Sequence, residues 1–399
     1  MAEVGHHVFQ SNTTQSTTST TPVVAYTLGT LSTNLDSGGD YMMIVSAMFA
    51  ATAGGETNNG RRCEIHDNDV LITGTDSRLE PETVVDGEGN AYGVCIRFTK
   101  ASSGNVTLKI YNTDAINVAV AACEALFIKL DDLTAGTDFL HNANTTFDND
   151  AGGYVDGASI TLPASSGDNW VVFGYSHWDA DALQGHLTRI VDSAANLAEV
   201  QHVSQDVTER ICQLTSYAIL GTGATKTVKT QYSSGGSGDF LRGEIFVLNL
   251  STFADSGMER GGTALVNAAN TWFQLETLSF TAAFTGNYCL MGGGVFAAAN
   301  VSNARERRIT SNINAGGEVV RAGSDADQIV GQSTDDVPFF IVGEVAITSS
   351  DSVVIDVDAG DKFSNSQENV GSGWVAAWSW EIDSGVVDTA IFVPTGPLR

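Results

Sequence analysis

Asp168-Asn169-Trp170-Val171-Val172-Phe173 is a turn closing on Asp or Asn, then an aromatic, then an apolar run. The same phrase occurs twice more, as Gly39-Asp40-Tyr41-Met42-Met43-Ile44-Val45 and as Gly286-Asn287-Tyr288-Cys289-Leu290-Met291. The aromatics Tyr41, Trp170 and Tyr288 fall 129 and then 118 residues apart. That spacing is the size of a small β domain, too long for a solenoid repeat.

Working outward from these phrases, other features recur in the same order. A short Arg-containing strand candidate follows each one: Arg62 to Asp67, Leu187 to Asp192 with Arg189, and Arg307-Arg308-Ile309-Thr310. A hairpin follows in turn, with Leu108, Val228 and Val353 in equivalent places. The closing strands are Glu124 to Leu130, Glu244 to Leu250 and Trp378 to Ile382, and their apolar spacing assigns Trp378 and Trp380 to core positions. Alternation at period two and abundant Gly (42 residues, against 6 Pro) predict strands joined by tight turns, with no long helical period. Helix is expected only near Ala194 to Val200 and Ala115 to Cys123.

These signs predict an all-β protein of three tandem antiparallel β-sandwiches, jelly-roll-like and built from internal repeats. The expected division is an extended Ser/Thr-rich arm at 1–21, sandwich repeats at 22–134, 135–254 and 255–384, and a second arm at 385–399. The first arm reads either as a flexible leader or as a segment ordered on a neighbouring subunit.

With 47 acidic against 19 basic residues, the net charge is −28. Such a body repels phosphate backbones, so nucleic acid is not expected as a partner. Its acidity suits solubility, or life in salt that screens self-repulsion. The five cysteines have no CxxC spacing, and four lie inside apolar runs, which predicts buried thiols over a disulfide framework. No signal peptide is expected from the N-terminal residues, and no membrane insertion from the longest apolar stretch, Tyr41 to Ala53.

Three groups of residues are candidates for chemistry. Asp148, Asp150 and Asp156 flank a Gly pair as calcium ligands do, although Gly152 and Ser159 stand where further oxygen ligands belong, so an acidic turn is the competing reading and no cofactor is otherwise expected. His177, Trp178, Asp179 and Asp181 form an expected loop that combines an aromatic ring with carboxylates, as a sugar or partner contact does; the competing reading is a packed ring at the base of a loop. Arg62, Arg189 and Arg308 are candidate assembly residues, which would pair with acids of their own unit or across subunits. A fourth cluster, Glu64, His66, Asp67 and Asp69, reads as the polar side of a strand before it reads as a metal or acid/base site. No Ser-His-Asp, Cys-His or paired-carboxylate constellation recurs, so an enzyme is not expected.

Tandem β units, a Ser/Thr arm and an apolar tail together resemble the accessory structural proteins of tailed viruses, of head-decoration, turret, fibre or tail type. The resemblance implies a virion protein made in the host cytoplasm that assembles as a homo-oligomer, a trimer among the options, and docks on other virion proteins. The rival expectation is a carbohydrate-binding or adhesin module for a host-surface glycan.

Overall fold

The computed structural model describes residues 3–49, 60–79, 91–113, 117–146, 148–150, 153–164, 167–180, 185–193, 195–203, 209–221, 223–234, 238–261, 264–266, 271–296, 303–330, 337–361 and 368–382. Among them there is no α-helix; two short 3₁₀ turns, at Leu130–Asp132 and Leu250–Thr252, follow the closing strands of the first two units.

The first unit holds β1 (His6–Ser11), β2 (Gln15–Thr17), β3 (Val23–Gly29), β4 (Asp40–Phe49), β5 (Arg61–Asp67), β6 (Val70–Leu71), β7 (Ser77–Leu79), β8 (Ala91–Thr99), β9 (Val106–Asn112) and β10 (Val118–Lys129). The second holds β11 (Phe139–Asn144), β12 (Asp148–Asp150), β13 (Val155–Leu162), β14 (Trp170–Ala180), β15 (Gly185–Asp192), β16 (Ala195–Val203), β17 (Arg210–Ile219), β18 (Lys226–Ser234) and β19 (Gly238–Asn249). The third holds β20 (Ser256–Arg260), β21 (Ala264–Val266), β22 (Thr271–Thr281), β23 (Gly286–Phe296), β24 (Asn303–Ile313), β25 (Glu318–Val330), β26 (Val337–Ile347), β27 (Ser352–Asp361) and β28 (Glu368–Ser379).

All the ladders are antiparallel, and one pairing order recurs. The inner sheets run β1-β10-β4-β8, β11-β19-β14-β17 and β20-β28-β23-β26. The outer sheets run β3-β9-β5-β7, β13-β18-β15-β16 and β22-β27-β24-β25. With the split strands counted once, each unit places its first, eighth, third and sixth strands in one sheet and its second, seventh, fourth and fifth in the other. This is the two-sheet order of a jelly roll. Tyr41, Trp170 and Tyr288 open the third strand of each set, pairing with Lys129, Asn249 and Ser379 of the closing strands. A single pair, Arg78 with Arg210, joins β7 to β17, so the first unit's outer sheet runs on into the second unit's inner sheet as ten strands.

Inner and outer strands differ in sequence because they differ in burial. The outer strand β13 alternates, with Ala158, Ile160 and Leu162 buried between more exposed neighbours. The inner strands β4, β14 and β23 are buried along both faces, which requires continuous apolar runs. On β14, Trp170 and Val172 fill the second unit's own sandwich, whereas Val171, Phe173 and Tyr175 join a cluster to which all three units contribute. On β23, Tyr288 and Leu290 face their own sandwich while Cys289 and Met291 face that shared cluster. Phe173 meets Phe340 at 5.7 Å and Trp374 at 6.3 Å, both edge to face, so the second and third units interlock through aromatic rings.

Several expectations are corrected. The arm at 1–21 contributes β1 and β2, which pair with β10 as the edge of the first unit's own inner sheet; without them that edge would be open. Where they are described, the two stretches expected as helix are strand, 118–123 in β10 and 195–200 in β16, because pairing with neighbouring strands overrides the helix propensity of alanine. The third closing strand is shifted by two residues from the alignment its apolar spacing suggests, which puts Trp378 and Trp380 in the positions of Phe246 and Leu248: they take the places of Leu248 and Leu250, and both are buried. All five cysteines are buried and free. The apolar tail at 385–399 lies outside the described residues.

If the inner sheets share one core, Phe173→Ala should lower unfolding stability by about 3–5 kcal/mol, the range for deleting a fully buried phenyl ring. Urea titrations followed by tryptophan fluorescence measure this. A cost under about 1 kcal/mol would mean that the second and third units do not depend on each other.

Candidate functional site: the seams between the sandwiches

The sequence candidates separate once they are placed. Asp156 is exposed on β13 and accepts from Lys229 Nζ at 2.6 Å and Gln231 Nε2 at 2.7 Å. Those two partners hold its carboxyl below the usual range, despite opposing desolvation. Asp148 and Asp150 lie on β12, and nothing of their side chains is described. Among the described residues no group of three or more His, Cys, Asp or Glu side chains is arranged to hold a metal ion. In the Glu64 cluster, His66 lies 2.8 Å from Glu64, Asp67 accepts from Lys100, and Asp69 from Lys109, so each acid has a basic partner.

The expected loop at His177 is strand, because β14 continues to Ala180. Trp178 is fully buried, packed edge to face on Tyr232 and Phe240, and its Nε1 donates to Ser176 Oγ at 3.0 Å. A ring enclosed in this way presents no face to a sugar. Asp179 is partly exposed and ion-pairs with Arg210 at 3.4 Å; Asp181 lies outside the described residues.

Arg62, Arg189 and Arg308 all lie within their own units, on the outer faces of the outer sheets, each beside an aromatic ring. The guanidinium carbon lies 3.3 Å from the Tyr154 centroid for Arg189, 4.5 Å from that of Trp272 for Arg308, and 6.0 Å from that of Tyr111 for Arg62. Arg189 also donates to Gln231, and Arg308 to Asp358 at 2.7 Å. None of the three reaches another unit in these contacts.

The polar groups that do cross between units are different ones. Between the first and second units, Arg210 donates to Asp76 at 2.6 Å, and His177 Nε2 lies 3.0 Å from the Asp76 carbonyl oxygen. Burial pushes the Asp76 carboxyl up, but His177 and Arg210 outweigh it and hold the group below its ordinary value. Deeper in that seam, Glu244 is fully buried; it accepts from Arg242 Nε at 2.7 Å, lies 2.7 Å from His141 Nε2 and meets the Arg97 backbone N–H at 3.3 Å. Arg242 in turn donates to the Thr73 carbonyl of the first unit.

Between the first and third units, Arg307 donates to Glu124 with both side chains only 1% exposed. Burial raises the Glu124 carboxyl, and Arg307 opposes the rise. The N-terminal strand completes this seam: Val4 N–H donates to the Trp380 carbonyl, His6 stacks on the Trp380 ring at 4.0 Å, and its Nε2 lies 3.0 Å from Glu344. Between the second and third units, Trp374 Nε1 donates to Ser216 Oγ at 3.1 Å. Chemically these contacts hold units together. Cys212 lies near His177 and Asp76, but burial raises its thiol far above the range in which a thiolate forms.

The seam residues left one signal in the sequence. Glu124 and Glu244 are acids placed directly before the apolar ends of their closing strands, at matching positions. The register places Trp374 at the third such position. Arg307 sits beside the recurring Arg308 but points to the opposite face of its strand, as period two requires.

No protein-family model matches this sequence, and no curated protein does. Among solved structures, one describing the triple jelly roll fold and turret assembly of an archaeal virus is similar over 84% of this chain and 80% of its own, at 10% identity and TM-score 0.20. A structure of PNGF-II is similar over 86% and 99%, at 8% identity and TM-score 0.31. An atomic structure of Sulfolobus Turreted Icosahedral Virus is similar over 84% and 81%, at 9% identity and TM-score 0.17.

Two outcomes test these assignments, one at a seam and one inside the second unit. Arg307 Nε and Nη1 and Glu124 Oε1 make no hydrogen bond among the described residues, so the pair is incompletely satisfied. Glu124→Ala or Arg307→Ala alone should then cost about 3–5 kcal/mol, whereas replacing both with apolar residues of similar volume should cost little or nothing. A double-mutant cycle in urea reads the difference.

The second outcome is acid sensitivity. Burial beside Trp178 lowers His186 to about 3, with His202 adding to the shift. Its folded value lies below the unfolded one, so its contribution is fully present above the unfolded pKa of about 6.5 and is lost as pH falls towards about 3. His186→Gln should remove up to about 1.4 kcal/mol per pH unit from the acid-side slope of stability in that window. Equal slopes for the variant and the parent would contradict this assignment.

Proposed function

We propose that this chain is a non-enzymatic structural subunit of a virus particle, of the capsid-decoration, turret or tail-fibre type found on tailed viruses. It would be made in the host cytoplasm, assemble as a homo-oligomer and dock on other virion proteins. One observation supports the reading above the rest: the fully buried ion pair of Arg307 with Glu124 and much of the buried apolar surface lie across seams between sandwiches, where they join the three units. A protein whose task is to hold shape needs this arrangement. The edges of the jelly rolls, with the outer faces of their outer sheets, are the surfaces left for neighbours.

Immunogold electron microscopy on extracts of the producing cells tests the proposal. Gold on regular particles, with the chain recovered from purified particles at a fixed ratio to the other virion proteins, is the expected result. Gold on cell surfaces or dispersed in the cytosol, with none on particles, would overturn it.

A further inference from the structure

β3 is the last strand of its sheet and pairs only with β9, so among the described residues its outer edge faces no other strand. In the other two units the equivalent second strand carries an acid, Asp156 on β13 and Glu276 on β22. Burial and the nearby Glu259 raise Glu276 to about 7, so even the more enclosed of these acids gains charge as pH rises past neutrality. Charged side chains of this kind protect an edge from pairing with a second sheet. β3 has none, and no Asp, Glu, Lys or Arg occurs anywhere from Val4 to Leu35. Instead Val23 and Val24 are 40% and 48% exposed, and the exposed residues at 12–14 and 20–22 extend the uncharged surface.

On a body of net charge −28, two copies repel each other overall. They can approach where charge is missing. We infer that the outer edge of β3 is a self-association site that takes β3 of a second copy in antiparallel, two-fold pairing. Pairing is short, because Pro22 has no N–H to donate and register irregularities fall between Val24 and Tyr26 and between Thr27 and Gly29. The contact is therefore weak for an isolated pair of copies and effective where copies are crowded. This deepens the reading of the chain as an assembling subunit and rests on it.

Sedimentation velocity of the full chain over a concentration series, at about 0.05 M and about 0.5 M salt, tests the site. The expected result is association that rises with concentration and strengthens with salt as repulsion is screened. Val24→Lys and Val24→Asp, each first shown to melt at the parent temperature, should both weaken association by about tenfold or more, since either charge would be buried unpaired at the contact. Hydrogen exchange at 23–27 should slow as concentration rises. If the parent associates while both variants do so equally and these amides are unchanged, β3 is not the site although assembly stands. If Asp weakens association and Lys strengthens it, overall charge governs the contact and the β3 assignment fails. A parent chain that stays monomeric at every concentration and salt would sink both the site and the assembly reading.

Discussion

Burial of the inner sheets on both faces is the constraint from which the rest of this structure follows. A lone jelly roll packs one face of each sheet and leaves the other to water. Here β4, β14 and β23 have no watery face, so each unit's inner sheet is stable only with the other two against it. This explains why the three opening phrases are apolar without alternation. It also gives a reason for the ion pair of Arg307 with Glu124 at a seam: strands packed against a foreign surface are where register between units must be set, and a buried charge pair tolerates few arrangements.

The N-terminal strand belongs to the same logic. β1 closes the edge of β10, and the segment around it touches the third unit through Val4, His6 and Asn12, the last donating to the Gly323 carbonyl. The first described residues thus meet the last, with Glu3 bridged to Glu381. A segment that reads as a free leader by composition is a clasp between units. Its charge-free stretch serves two surroundings: β1 lies against apolar and aromatic partners, while β3, a few residues on, turns an uncharged edge outward.

How much of this was legible in the sequence depended on periodicity. Repeated aromatic openings and matching closing strands located the third and eighth strands of every unit, because those strands hold register while loops vary. The recurring Arg was found, but the side it faces was not: Arg308 is on the outer face and its neighbour Arg307 crosses to Glu124, a choice that one residue of register decides. Trp178 fitted two readings in the sequence, a contact loop and a packed ring, because the difference lies in whether the strand stops before the ring; β14 runs two residues beyond it and the ring is enclosed. Long-range partners such as Asp76 with Arg210 leave no local pattern, since residues 134 apart in sequence meet only after two sandwiches have docked.

The account therefore stands on cooperation between the units, and differential scanning calorimetry of the intact chain measures it most directly. One shared core predicts a single transition whose calorimetric and van't Hoff enthalpies agree. Two or three resolved transitions, each with the enthalpy of one sandwich, would show that the units fold and stand alone, and would contradict the account.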